Sequence, residues 1–152
     1  MTDSTELHRP VRIGDLMLRN RIVMAPLTRC RSDEAAGDIP GSEMNVTYYR
    51  QRSSAGLIIS EGTQVSPLGK GYRATPGIYS EAQVAGWMPI TRAVQAAGGC
   101  MIAQIWHVGR ISHPDLTGGQ TPIAPSAVQP AVAAYTANGK QDCPTPRALS
   151  LD

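Results

Sequence analysis

Apolar residues fall along this chain in short, dense runs, separated by polar stretches rich in glycine and proline, and segments of helical spacing lie between the runs. Val11-Arg12-Ile13 and Leu16-Met17-Leu18 flank Gly14-Asp15, which predicts a hairpin with a two-residue turn. Ile22-Val23-Met24-Ala25 is a continuous apolar run, the pattern of a strand buried on both faces, and Pro26 ends it. A polar loop over Arg31 to Gly41 follows. Ser42 then caps a predicted helix from about Glu43 to Ser53, closed by Ala55-Gly56. Leu57-Ile58-Ile59-Ser60 is the second predicted strand, followed by a Gly- and Pro-rich loop from Gly62 to Gly77. Ser80 with Gln83 is a capping-box pair. Val84, Trp87, Thr91 and Val94 continue at spacings of three and four, as a sheet-packing face requires, and Pro89 is expected to divide this stretch into two short helices. Gly98-Gly99 stops it, and Cys100 to Trp106 is the third strand. From His107 to Arg147 the chain has loop chemistry, with Gly118-Gly119, repeated proline and one hairpin predicted to turn at Asn138-Gly139.

Successive βα units predict a parallel sheet with helical crossovers. With the hairpin as a plug under the first strand, the expected fold is α/β, the N-terminal part of a (β/α)₈ TIM barrel. Such a barrel needs eight strands and typically ~250 residues. Residues 1–152 are therefore read as the N-terminal segment of one barrel domain, with the hairpin at 10–20, the first three barrel strands and helices at 21–106, and a loop or lid region at 107–152. A short parallel sheet with open edges invites aggregation. A complementary C-terminal polypeptide completing the barrel is accordingly expected.

Apolar content of 41% and charged content of 17% are those of a globular chain and exclude a disordered one. Net charge is +2, with basic residues scattered from Arg9 to Arg147 and no basic run, so no nucleic-acid partner is expected. No stretch reaches the ~18 apolar residues of a membrane span, and Met1 to Arg9 lacks the apolar core of a secretory signal. Cys30, Cys100 and Cys143 are odd in number and far apart, with no metal-ligand spacing. That predicts reduced thiols, a cytoplasmic location and no metal. Cys30 has no identifiable activating base and is not read as a nucleophile.

Two segments carry the chemistry. Met24-Ala25-Pro26-Leu27-Thr28-Arg29 and Gln104-Ile105-Trp106-His107-Val108-Gly109-Arg110 each run from an apolar strand into a polar tip, where cofactor contacts collect in parallel α/β proteins. By spacing alone, Thr28 and Gln104 also read as polar strand ends satisfied by backbone, Trp106 and Tyr72 as packing aromatics, and Gly62 as a turn glycine.

Taken together and in order, Asn20 to Arg29, Glu61-Gly62-Thr63, Gly71-Tyr72 with Pro76-Gly77, and Gln104-Ile105-Trp106-His107 resemble the old yellow enzyme family, the FMN-dependent ene-reductases. The likeness runs from Pro10 to Leu149. It implies that Ala25, Pro26, Leu27 and Thr28 pass alongside the flavin, with the Thr28 hydroxyl donating to flavin O4. A donor there stabilises negative charge on the reduced ring. Other members carry Cys at this position, so the chain resembles the threonine branch. Gln104 would face the pyrimidine edge, Gly62 would allow close backbone approach, and Tyr72 and Trp106 would line the substrate face. His107 and His113 are read as loop residues and Arg110 as orienting the loop that follows. Leu116 to Cys143 is read as a lid, with Tyr135 at its contact surface.

The implied reaction moves hydride from NADPH (or NADH) through FMN to an activated alkene: an enone, enal, maleimide or nitroalkene. In the family, a His/Asn or His/His pair binds the activating group. A nearby Tyr donates the proton, and an Arg and late loops hold the FMN. All of these are expected beyond Asp152, so this chain is expected to be inactive alone. Two other readings stay open: a phosphate-binding barrel isomerase or aldolase without flavin, and a truncated fragment or assembly piece with no activity.

Overall fold

The computed structural model describes residues 5–150. A short helix α1 (Thr5–His8) leads into the hairpin of β1 (Val11–Ile13) and β2 (Leu16–Leu18). Ile13 faces Leu16 across the turn, and Gly14 supplies its positive φ of 55°. Next come β3 (Val23–Met24), α2 (Glu43–Arg50), β4 (Leu57–Gln64), α3 (Glu81–Ala96) and β5 (Met101–Trp106). The strands β3, β4 and β5 pair in parallel in that order, each crossover carrying a helix. These are two βα units and the strand of a third. The remaining short strands are β6 (Ile123–Ala124), β7 (Ala133–Thr136), β8 (Gly139–Asp142) and β9 (Arg147–Ala148). Among the described residues, no helix is long and apolar enough to cross a membrane.

The core lies between the sheet and its two helices. Tyr49 of α2, Ile58 of β4, and Trp87, Ile90 and Val94 of α3 form one buried cluster, with Met24 and Met101 packed on it. Burying an aliphatic side chain of this size contributes roughly 1.5–3 kcal/mol. β4, flanked on both sides, is buried along nearly its whole length. β3 and β5 have one neighbour each; the two-sided burial expected of the first strand fails, with Ile22 and Val23 exposed, and Ile102 and Ile105 of β5 are exposed as well.

Helix α3 corrects two expectations. It runs unbroken through Pro89, because Trp87 and Ile90 on either side are both in the core, and Pro89 itself is exposed. Their burial outweighs the roughly 3 kcal/mol that an interior proline costs a helix. Its buried stripe is Gln83, Trp87, Ile90 and Val94; Val84 is exposed. Gln83 takes the inner face because its amide is fully used. Its Oε1 accepts from the Tyr79 and Ser80 amides, and its Nε2 donates to the Gly37 carbonyl. The capping box with Ser80 forms as predicted, and Ser42 caps α2 by accepting from the Asn45 amide.

α2 stops at Arg50 rather than Ser53, because the bonds from Arg52, Ser53 and Ala55 amides tighten to the third residue back. β4 extends four residues past Ser60, its tip held by Gln64 pairing with Pro76 and Ile78. The segment after His107 is more ordered than its loop chemistry implied. β6 pairs with β9, β7 pairs with β8, and Leu116, Ala134 and Cys143 form a separate small core. The hairpin turns at Ala137-Asn138, one residue earlier than expected, because Thr136 Oγ1 accepts from the Asn138 amide and closes the turn.

Candidate active site

Strand alternation would place Ile58, Ser60 and Gly62 on one face of β4. A bulge between Ile59 and Gly62 adds a residue to β4 relative to β5, so that Ile59 pairs Ile102 but Gly62 pairs Gln104. The bulge inverts the alternation. Glu61 turns to the helix side, where it meets Tyr49, and Gly62 turns to the opposite face. Ser60 holds the irregularity, accepting from the Gln104 amide and donating to the Glu61 carbonyl.

Gly62, Gln104, Trp106 and Tyr72 are thereby brought together. A Cβ at Gly62 would lie 2.3 Å from Trp106 Cε3, so the absent side chain is what admits the indole. Trp106 stacks on Tyr72 with ring centroids 5.7 Å apart and planes 24° from parallel. Trp106 is half-buried and Tyr72 exposed. Together they form a flat aromatic wall at the sheet's C-terminal edge.

Thr28 lies in the loop after β3, next to Arg29. The loop after β3 is pinned where the Arg29 amide donates to Glu61 Oε2 at 3.0 Å. Tyr49 donates its hydroxyl to Glu61 Oε1 and accepts from the Glu61 amide. Burial pushes the Glu61 carboxyl above its ordinary pKa, against the Arg29 amide and Tyr49 hydroxyl bonds that favour its charged form. Burial, then the Glu61 charge, pushes the Tyr49 phenol well up, so it remains a donor. The Arg29 guanidinium turns away from Thr28 onto α2, 3.6 Å from the Tyr48 ring centroid. Ala25 and Leu27 are exposed and Pro26 and Thr28 half-buried, so this tip presents a largely open surface.

A second group of charges clasps the loops around Tyr72. The Lys70 ammonium donates to Asp38 Oδ1 at 2.7 Å and Glu34 Oε1 at 2.9 Å. Gln64 donates to the other Asp38 oxygen and to the Thr75 carbonyl. Arg73 adds a two-nitrogen contact to Glu34. Burial opposes the charge on Lys70, but its hydrogen bonds to Asp38 and Glu34 outweigh it and raise its pKa. Glu61 and Lys70 were the functional-region residues that sequence reasoning left without a role. The signal for Glu61 was a lone carboxylate closing an otherwise apolar strand.

Other sequence candidates sit apart. His107 and His113 each accept a backbone amide two residues on, from Gly109 and Asp115. Arg110 holds the following loop by donating to the Val128 carbonyl. Tyr135 is exposed on β7. Cys30 adopts a positive φ of 52°, and burial, then Glu61, pushes its thiol pKa up, opposite to an activated nucleophile. Among the described residues, no cluster could hold a metal ion.

The donor set fits a flavin ring. Among the described residues, neither the Thr28 hydroxyl nor the Gln104 carboxamide is engaged in a hydrogen bond, and Trp106 Nε1 is buried without a partner. A buried polar group such as Trp106 Nε1 is usually satisfied by a partner, whereas Gln104 is exposed and Thr28 half-buried.

The NADH:flavin oxidoreductase / NADH oxidase family matches residues 6–150. Flavin oxidoreductase hxnT of Emericella nidulans is 43% identical over 96% of this chain and 38% of its own length. 12-Oxophytodienoate reductase 1 of Oryza sativa subsp. japonica is 45% identical over 76% of this chain and 30% of its own. Among solved structures, the old yellow enzyme homologue from Zymomonas mobilis superposes with a TM-score of 0.91 at 47% identity, covering 97% of this chain and 40% of that one. Morphinone reductase, solved with tetrahydroNAD, gives 0.87 at 45% identity, over 96% of this chain and 41% of that one. The chain thus spans about 40% of the structures it matches. With its parallel strands, helical crossovers and open flanking edges, it belongs to the NADH:flavin oxidoreductase / NADH oxidase family, as an N-terminal portion of the old yellow enzyme barrel.

Proposed function

We propose that this chain forms the flavin-tuning and substrate-lining part of an FMN-dependent ene-reductase. The observation that carries this reading is the pair of uncommitted polar groups, Gln104 paired against Gly62 in the sheet and Thr28 in the loop that Glu61 holds through Arg29, in a chain of this family. When bound, FMN supplies hydride chemistry between NADPH (or NADH) and an activated alkene. The Thr28 hydroxyl donates toward O4 of the ring, and the Gln104 carboxamide hydrogen-bonds its pyrimidine edge. Ala25, Pro26, Leu27 and Gly62 present backbone and small surfaces to it. Tyr72 and Trp106 hold a flat conjugated substrate, of the enone, enal, maleimide or nitroalkene type. The names of the 12-oxophytodienoate and morphinone reductases among the relatives support a reductase of this kind.

The proton donor and phosphate site belong, on this reading, to a complementary C-terminal polypeptide that completes the barrel. The exposed Ile22, Val23, Ile102 and Ile105 support such a partner, since its strands would cover them. Three free thiols support a reducing, cytoplasmic setting. Native mass spectrometry of the purified protein tests the assembly. A mass of this chain plus a second polypeptide plus FMN supports it; the chain alone without FMN supports the other reading, an inactive truncated piece.

Two substitutions test the residue roles. Thr28→Ala should lower the flavin potential by about 30–60 mV, because a hydrogen bond to a charged group contributes about 1.5–3 kcal/mol, and should slow reduction by NADPH. An unchanged potential removes the O4 assignment. Gln104→Leu should weaken FMN binding by up to about tenfold, the scale of one hydrogen bond, in fluorescence titration. Equal affinity counts against its role.

A further inference from the structure

The bulge in β4 does more than admit Trp106. It turns a carboxylate into the helix–sheet interior of a chain whose other buried strand residues have no charge there, and that carboxylate reaches across 32 positions to the Arg29 amide, with the Cys30 amide also turned toward it. Glu61 is 3% exposed. Burying a carboxyl without compensation is costly, so its retention calls for a use. Its bonds identify the use. Oε1 is taken by the Tyr49 hydroxyl, which fixes the carboxyl orientation from α2, and Oε2 takes the Arg29 amide.

Arg29 directly follows Thr28, and Cys30 directly follows Arg29 in the left-handed region, with φ 52°. A non-glycine residue there stores strain of about 1–3 kcal/mol and persists only where its surroundings hold it. β3 ends at Met24, so from Ala25 onward no sheet pairing fixes this tip. The Arg29–Glu61 bond is the tie closest to Thr28.

We infer that Glu61 is a positioning residue for Thr28: held by Tyr49, it fixes the backbone one residue past the hydroxyl and thereby aims that hydroxyl at the flavin. This rests on the proposed flavin role of Thr28. Glu61 itself lies on the helix side of the sheet and acts through the loop, not on substrate. The charged and titratable groups around it are Arg29 and Cys30 on the loop and Tyr49 on α2.

The test reads the loop and the flavin separately. In the purified protein, Glu61→Ala should raise hydrogen exchange at the Arg29 amide by about tenfold or more, leaving the core amides of Ile58 and Val94 unchanged. Glu61→Gln, whose amide oxygen still accepts, should restore protection. Unchanged Arg29 exchange in folded Glu61→Ala overturns the proposal. Should Glu61→Ala fail to fold, the wild-type Arg29 amide resonance is followed with pH. It should titrate together with the Glu61 carboxyl carbon, with a midpoint above the ordinary 4.5. Independent titration overturns the proposal. On FMN-loaded protein, Glu61→Ala should lower the potential in the direction of Thr28→Ala, and the double variant should add nothing. A wild-type potential in Glu61→Ala, where Thr28→Ala lowers it, also overturns the proposal. A silent Thr28→Ala instead removes the flavin role of Thr28, and the Arg29 exchange result still decides whether Glu61 holds the loop.

Discussion

Replacing Lys70 with methionine should destabilise the protein by about 3–5 kcal/mol, the cost of removing one partner from a buried ion pair. The size follows from what is left behind. The Lys70 side chain is 9% exposed and Asp38 10%, so Asp38 cannot simply turn to water when the ammonium is gone. Glu34, at 31%, loses the same donor but can rehydrate in part. The damage should concentrate in the loops that Lys70 joins, 31–41 and 65–77, because Asp38 and Glu34 lie on the first and Lys70 on the second. Arg73→Met makes the control: Arg73 is 52% exposed, and an exposed pair contributes at most about 1 kcal/mol. Urea unfolding of both variants separates the cases; equal small losses would mean that the clasp is ornamental. The pH dependence has a defined sign. The folded pKa of Lys70 lies above its ordinary 10.5, so its contribution is complete below pH 10.5 and disappears as pH rises through the folded value.

That clasp also shows where sequence reading ends. Features written within a few residues were legible: the Ser80–Gln83 box, the Ser42 cap, the Gly14 turn and the three parallel strands in order. Each depends on local backbone geometry that a short window specifies. Lys70 and its acids are 32 and 36 positions apart, and nothing in a charge pattern says that scattered residues will meet. Pro89 misled for a related reason. The local penalty was real, but Trp87 and Ile90 on either side of it were committed to one core. Val84 misled because polarity was taken as a guide to exposure, whereas Gln83 is buried with every polar atom used.

The candidate site was named by resemblance and only partly by physics. Thr28, Gly62 and Gln104 were named from ordered motifs, and the uncommitted Thr28 hydroxyl and Gln104 carboxamide are compatible with that reading. Invisible in the sequence was the bulge. The sequence reading ended the strand at Ser60 and placed Gly62 in a loop; regular alternation along the observed Leu57–Gln64 would point Glu61 toward the aromatic face and Gly62 toward the helices. One extra residue reverses both, and the assignments of Glu61 and Gly62 depend on it.

Gly62→Ala tests that reversal most directly. A Cβ there would meet Trp106 at 2.3, 2.4 and 2.5 Å from three ring atoms, distances no real contact shows, so the indole must swing. Overpacking of this kind costs about 1–3 kcal/mol, and the Tyr72 stack would be lost as well, about 0.5–1.5 kcal/mol more. Urea unfolding should therefore show a loss of about 2–4 kcal/mol, with a changed near-ultraviolet circular dichroism spectrum. Repeating Gly62→Ala on a Trp106→Ala background isolates the cause. If the clash is with the indole, the second methyl costs almost nothing once the ring is gone; a persistent loss would mean that Gly62 faces something else. The same pair of variants separates two reasons for glycine at this position. FMN affinity that recovers in the double variant makes Gly62 a seat for Trp106. Affinity that stays low makes it a point of direct backbone approach to the flavin, since the added Cβ then has no indole left to push.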